Sequence, residues 1–408
     1  MSDQSYENFL EDDEKDIMKI KSRPKKITYP NLYDSKENEK IPKVFVVIQT
    51  DNNENFVKGL TYILIKLVPE FKKASQSDIS FVHFTEGITN KIVCATNMQN
   101  NFRVNVRTFG SYTEYLIDRD MELLIMNSAP KVKIYGTFIN GLVYSYIPGR
   151  TLSIADLIDL TTFSQTAISI ANHHKLTPPS IKKVPTLFIT LRKWISNIPL
   201  EYLDPKKKPY DLKVIKEELI FMEENLKNRS DVVLCHNDLL LKNFIKNEKE
   251  VAVIDYEYSA YNYRAFDLVN HFNEWCGFDL NWDHFPNEDT QRRFLKIYFE
   301  TFYDNEKDEI NIKEKIDEMI EDIKWFDLAS NFYWGAWALI QAALSNIDFN
   351  YNEYANLRFK RYFVIKSKNI LSCYAGTIPD NENYDMCEDC MQEFAMYLLK
   401  SKLKGKEE

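Results

Sequence analysis

One stretch, VVLCHNDLLLKNFIKNEKEVAVIDYEYSAYNYRAFDLVNHFNEW at residues 232–275, constrains this chain more than any other. Two short apolar runs, Val232–Cys235 and 251–254, give way at once to acids and amides, which is how buried strands deliver polar groups to a cleft. If the two runs pair, Asp238, Asn243 and Asp255 converge on one small volume. An aspartate that can accept a hydroxyl proton, with an amide and a second carboxylate as hard oxygen ligands, is what a magnesium-dependent phosphoryl transferase requires. A lone H-x-D is ordinarily a turn in which Asn and Asp only shape the backbone. Here the H-x-D-x-x-x-x-N spacing from His236 to Asn243 and a second run ending in Asp occur together, and that combination displaces the turn reading.

Composition narrows the classes. With 408 residues, 44% hydrophobic and 14% aromatic, the chain can bury a large core and fits two lobes better than one average domain. A formal net charge of −9 and a pI near 5.4 argue against nucleic acid or an anionic membrane as the main partner and suit a cationic small substrate. The six cysteines lack the density of a disulfide scaffold, and Cys387-x-x-Cys390 has no second ligand pair, so neither a disulfide framework nor a zinc site is expected. The acidic start MSDQSYENFLEDDEKD is unlike a secretory signal, and the apolar stretch 325–344 is interrupted by Asp327, Asn331 and Gln341. The expectation is a cytoplasmic protein with no membrane span.

In chain order, residues 1–42 read as a polar tail draped over the first domain. Leu60, Ile63, Leu64 and Leu67 give one apolar helical face, closed by Pro69. Two strands then flank Glu86-Gly87 and Thr89-Asn90, a third covers 103–108, and Asn140-Gly141 joins two more before the Pro148-Gly149 break. Helices are expected from Ile154, over 163–174 and over 212–226. His173 and His174 have no partner at a catalytic spacing and read as packing residues. Lys206, Lys207 and Lys208 read as a solvated turn.

HNDLLLKNFI followed by VIDYEYSAYNYRAFDLVNHFNEW closely resembles the choline/ethanolamine kinase family; the likeness continues through LASNFYWGAWALIQAALSNIDFNYNEYA and, more weakly, over 81–152. The resemblance implies an α+β, protein-kinase-like fold, similar to aminoglycoside phosphotransferases. A small β-rich N-lobe (43–146) would precede a larger, mainly helical C-lobe (147–373) and an extension (374–408). It implies ATP between the lobes, Mg2+ on Asn243 and Asp255, and Asp238 as the base; Glu257, two residues past Asp255 on the same strand face, is read as a contact for a second ion. Arg107 would face the phosphates, held by Glu122, with Asp118 and Glu114 as alternative partners. A guanidinium suits that place because it stays charged and grips two oxygens at once. Gly87, Thr89 and Asn90 would cover the nucleotide, and the hinge at Tyr146, Ile147 and Arg150 would turn its backbone to the adenine. Tyr258, Glu274, Trp334, Trp337, Phe349 and Tyr354 would line the amino-alcohol pocket, with aromatic faces and one carboxylate around an ammonium. His236 would orient the catalytic loop, and Asp267 would cap the next helix and brace that loop. A homodimer is the common form in the family.

Within the family, HNDLLLKN, NYRAFDLVNHFNEWCG and TFINGL resemble the ethanolamine branch, whereas Ile147-Pro148-Gly149-Arg150 is closer to the choline branch. A primary ammonium needs acceptors for its protons; a quaternary one needs only apolar and aromatic contact. After Glu274-Trp275 the chain carries Cys276, Gly277, Phe278 and Asp279 where choline-branch members bring an aromatic. The reading is therefore ATP-dependent phosphorylation of ethanolamine, with choline as the alternative substrate. A kinase for aminoglycosides is disfavoured by the long aromatic match, and an inactive scaffold by the presence of every metal and base residue.

Overall fold

A computed structural model describes residues 25–49, 53–84, 90–198, 212–304, 309–345 and 347–374. Gly87, Thr89, the lysines at 206–208, Cys387 and Cys390, the whole of the tail before Lys25 and nearly all of the extension lie outside the described residues.

The N-terminal lobe is built on a six-stranded sheet. Its strands are β1 (Lys43–Val44), β2 (Ile79–Phe84), β3 (Asn90–Asn97), β4 (Phe102–Phe109), β5 (Ile134–Phe138) and β6 (Gly141–Ser145), in the order β1-β5-β6-β4-β3-β2. Val93, Ala95, Val104, Val106 and Val143 form one apolar core with Leu60, Ile63 and Leu64 of helix α1 (Asn53–Leu67), the face that the spacing marks out. The β5–β6 turn requires its glycine, because a Cβ on Gly141 would collide with the carbonyl oxygen of Arg107 on β4. That close approach helps to fix the register beside Arg107.

Helix α2 (Arg119–Ser128) is capped by Asp118, whose carboxylate accepts from the N–H groups of Asp120 and Met121. Met121, Leu124 and Ile125 of α2 join the large core of the C-terminal lobe, so the two apolar cores do not divide at residue 146. The described part of the tail also departs from expectation, because it reaches the C-terminal lobe. Tyr29 N–H and the Tyr33 hydroxyl donate to Asp118, the Tyr29 hydroxyl meets Thr190 at 2.7 Å, and Tyr33 forms a bridge with Ile181. Ile27 and Tyr29, two apolar anchors in a polar segment, are buried in the large core and overcome its composition.

The C-terminal lobe contains β7 (Arg150–Thr151), α3 (Leu160–His174), α4 (Leu187–Asn197), α5 (Leu212–Leu226), β8 (Val232–Cys235), β9 (Phe244–Lys246), β10 (Val251–Val253) and β11 (Ala260–Tyr263). Helices α6 (Arg264–Glu274), α7 (Glu288–Phe302), α8 (Ile312–Leu344) and α9 (Tyr351–Tyr374) follow. From Ile154 the chain makes only a short 3-10 turn before α3. Sequence spacing does not flag α4, which has no side-chain N-cap and carries β-branched Ile189 and Thr190; burial of Leu187, Leu191 and Trp194 holds it. No described helix is long and apolar enough to cross a membrane. The two apolar runs that open the sequence argument do not pair with each other. β8 pairs with β11, and β10 pairs with β9, which also takes β7. The short β9–β10 hairpin closes locally, and the β8–β11 pair encloses it in sequence.

Candidate active site

Two left-handed turns deliver the polar residues. Asn237, after β8, has φ of 65° and Asp255, after β10, has φ of 63°. Asn and Asp enter that region more readily than other side-chain-bearing residues. Asp267 holds the first turn: its Oδ2 accepts from His236 N–H and its Oδ1 from Asn237 N–H, both at 2.7 Å, and Oδ2 lies 2.9 Å from His174 Nε2. Burial acts to raise Asp267, but these partners outweigh it and keep the carboxyl below its ordinary range. Asp267 sits inside the first turn of α6, whose N-cap is Tyr263, so it braces the loop and is not the expected cap. His236 Nε2 bonds the carbonyl of Ile254 at 2.9 Å, which ties the first turn to the second. These cross-links, in place of strand pairing, bring Asp238, Asn243 and Asp255 to one cavity.

At the acidic end Asn243 Nδ2 donates to the Asp238 carbonyl at 2.9 Å and to Asp238 Oδ2 at 3.0 Å, which leaves the amide oxygen for another partner. Buried Arg107 forks between two acids, Nη2 to Glu122 and Nη1 to Asp255 Oδ1 at 2.7 Å. Glu122 is thus its partner on α2, while Asp118 serves as that helix's cap. Arg119 bonds both Glu122 (2.8 Å) and Glu257 (3.1 Å), and Asn90 Nδ2 donates to Glu257 Oε2 at 2.8 Å. Because Asp255 turns left-handed beyond β10, Glu257 does not share a strand face with it as expected, yet carboxylate oxygens of Glu122, Asp255 and Glu257 lie within 4.8 Å of one another. Burial, then Glu274, Asp255 and Glu257, push Asp238 well above the usual carboxylate range. Burial and Glu257 push Asp255 up to about 7 against the pull of Arg107. Burial would also raise Glu122, but Arg107 and Arg119 hold it low. The uncompensated negative charge therefore rests on Asp238 and Asp255, and a hard divalent cation among these oxygens would relieve it.

At the other end the same cavity, of about 110 Å³, is walled by Tyr258, Glu274, Phe278, Trp334, Trp337 and Tyr354. Trp334 and Trp337 stand edge to face at 5.5 Å. The Trp337 indole N–H donates to the Tyr258 hydroxyl at 2.9 Å and that of Trp334 to Asn270 Oδ1 at 2.6 Å. With both N–H groups satisfied in the wall, what the tryptophans have left to offer is ring surface. Phe349 does not line the cavity but packs at 5.7 Å on Tyr354 and 5.8 Å on Phe278.

Residues 81–363 match the sequence model of the choline/ethanolamine kinase family. The chain belongs to that family. It is 35% identical over 322 residues to a probable ethanolamine kinase A of Dictyostelium discoideum, an alignment covering 75% of this chain and 91% of the relative. Ethanolamine kinase 1 of Homo sapiens is 36% identical over 344 residues, covering 80% and 75%. Among solved structures, a Plasmodium vivax ethanolamine kinase superimposes with a TM-score of 0.68 at 25% identity, covering 76% of this chain and 89% of that one. A choline kinase from Cryptosporidium parvum shares the fold with a TM-score of 0.65 at 23% identity, covering 78% and 97%. The protein is an ATP-dependent kinase with the two-lobed α+β fold that its family resemblance implies.

Two site residues of this kinase escape sequence reasoning. Glu274 is no free countercharge, because its Oε1 accepts from Arg358 Nη2 at 2.7 Å, and the same nitrogen reaches the Tyr354 hydroxyl at 2.7 Å. Burial raises Glu274 and Arg358 opposes the rise. A signal existed: Arg358 lies one helical turn after Tyr354, where a cation can serve both groups. Phe278 is the second. Gly277, at φ of 67°, ends the turn after α6, and Phe278 comes to the cavity wall. At the hinge, the Arg150 guanidinium is engaged by Asp156 at 2.8 Å, and Tyr146 lies under Arg103 at 5.6 Å.

Proposed function

We propose that the chain transfers the terminal phosphoryl group of ATP to the hydroxyl of ethanolamine, giving phosphoethanolamine, the first step toward a phosphatidylethanolamine headgroup. One observation carries this: a single cavity joins Asp238, Asn243 and Asp255 at one end to Trp334, Trp337, Tyr258 and Tyr354 at the other. A proton acceptor thus stands between a place for phosphate and a place for an ammonium. Relatives named ethanolamine kinase support the choice of substrate.

Asp238 accepts the hydroxyl proton as the substrate oxygen approaches phosphorus in line. Arg107, oriented by Glu122, presents its guanidinium to the phosphates. Asn243 and Asp255 would hold Mg2+, with Glu257 placed for a second ion. When bound, the metal supplies positive charge between phosphate oxygens and to the crowded carboxylates. The hinge at Tyr146, Ile147 and Arg150 gives its backbone to the adenine. Each aromatic face contributes about 0.5–2 kcal/mol to holding the ammonium. His236 and Asp267 keep the loop in position. The same reading has the enzyme act in the cytoplasm as a homodimer.

Choline remains a second reading because Phe278 adds an aromatic wall beside Tyr354, at 6.0 Å between ring centroids. Measuring ADP release with ethanolamine and choline side by side, for wild type and Asp238→Ala, tests both. Turnover with ethanolamine that exceeds turnover with choline and disappears in the variant is expected. Nucleotide left unconsumed with either amine, or a fully active variant, overturns the proposal.

A further inference from the structure

The C-terminal lobe has a second opening, toward the start of β8 and distinct in its lining from the kinase cavity. It is a groove of about 520 Å³ whose wall includes Lys175, Thr177, Lys183, Asp231, Arg264 and Tyr303. Arg264 is 3% exposed, and its guanidinium carbon lies 4.0 Å from the centroid of the Phe302 ring. Its nearest carboxylate oxygen, on Asp231, is 3.4 Å from Nη2 and belongs to a side chain that is 68% exposed. Nε and Nη1 have no hydrogen-bond partner. Arg107 and Arg358, the other buried arginines among the described residues, instead meet carboxylates at 2.7 Å. A guanidinium with five donors, taken from water and given one loose contact, is under-neutralised. Aromatic surface offsets part of that deficit. Lys175 and Lys183 add positive charge at the same wall, and burial keeps His174 neutral there.

We propose that this groove is an accessory site for a phosphate monoester, whose oxygens displace Asp231 as the partner of Arg264 and draw in Lys175 and Lys183. Phosphate suits the site because its charged oxygens give Arg264 Nη2 a stronger acceptor than the exposed Asp231 carboxylate and the lysines add point charge. The aromatic rim at Phe302 and Tyr303 leaves room for a small organic body. The groove also reaches the catalytic loop: His174, on its wall, bonds Asp267, which holds the backbone of His236 and Asn237.

Inorganic phosphate and methyl phosphate are titrated into the full chain with saturating ADP filling the kinase cleft, following 31P line width and melting temperature. Wild type is expected to show saturable millimolar binding that K175E/K183E weakens about tenfold or more, with ethanolamine turnover in the absence of phosphate unchanged. The same charge reversal at the exposed Lys72 and Lys73 is expected to leave binding intact. R264Q is expected to abolish binding, and the lysine pair decides the matter if that variant does not fold. No saturable response, an equal response in K175E/K183E, or an equal loss in K72E/K73E overturns the proposal. Retention on phosphatidate vesicles without any response to free phosphate assigns the groove to a membrane surface and overturns it too.

Discussion

At the aromatic end of the cleft, Glu274 is already matched by Arg358 at 2.7 Å and both tryptophan N–H groups are bonded, whereas at the acidic end Asp238, Asp255 and Glu257 crowd together. There Arg107 and Arg119 satisfy Glu122 first, and the raised Asp238 and Asp255 show what they leave over. The contrast teaches that the aromatic end is complete without a ligand, while the acidic end is balanced only when cations arrive. Substitutions at the two ends should therefore fail in different ways.

The largest effect is expected for Asp238→Asn, which keeps size and removes the proton acceptor. The kcat should fall by about 10²–10⁴-fold with little change in KM for ethanolamine; a loss that appears mainly in KM would merge the two ends. Next comes Arg107→Met, which strands Glu122 and Asp255. Urea melts should show a loss of about 3–5 kcal/mol, the cost of breaking a buried pair from one side, together with weaker ATP binding. Arg358→Met should cost a similar amount through Glu274 but raise KM for the amine and leave that for ATP unchanged. A smaller effect follows Trp337→Leu: KM for ethanolamine rises about 2- to 30-fold, the equivalent of about 0.5–2 kcal/mol, at nearly constant kcat.

The smallest effect separates the ends by pH. Asp238 and Asp255 bind protons more tightly in the folded chain than in the unfolded one, where carboxyls titrate at about 4. Their contribution to stability without metal should then be greatest below that value and be lost as pH rises through the folded Asp255 value of about 7. Added Mg2+ should raise the melting temperature more at about pH 8 than at about pH 5, since protons no longer compete for the carboxylates. The Asp255→Asn variant should lose most of that difference; a metal effect independent of pH would contradict the acidic end as described.

The convergence of Asp238, Asn243 and Asp255 was legible because they are packed into one short stretch with a fixed spacing, His236 to Asn243, followed by Asp255. The aromatic wall was legible only through resemblance, because two tryptophans three residues apart on one helix read by themselves as core. Pairings between distant segments were not. Arg358 meets Glu274 across 84 residues and Asn90 meets Glu257 across 167, and no local pattern announces either. The partner of β8 was misread for a related reason: AYNY, which forms β11, is buried at all four positions and shows no alternation to mark it as a strand. The tail misled through its average polarity, because two buried residues, Ile27 and Tyr29, decide where it docks.

The strap formed by Tyr29 and Tyr33 on Asp118 has a practical consequence. Someone shortening this chain for crystallisation would cut at the proline before the first sheet strand and discard a segment that looks dispensable. Such trimming would strip the cap of α2 of two donors, four residues upstream of the glutamate that orients Arg107. A truncated preparation that purifies well yet binds nucleotide poorly would be reporting damage relayed through that helix, and its inactivity should not be mistaken for a property of the intact enzyme.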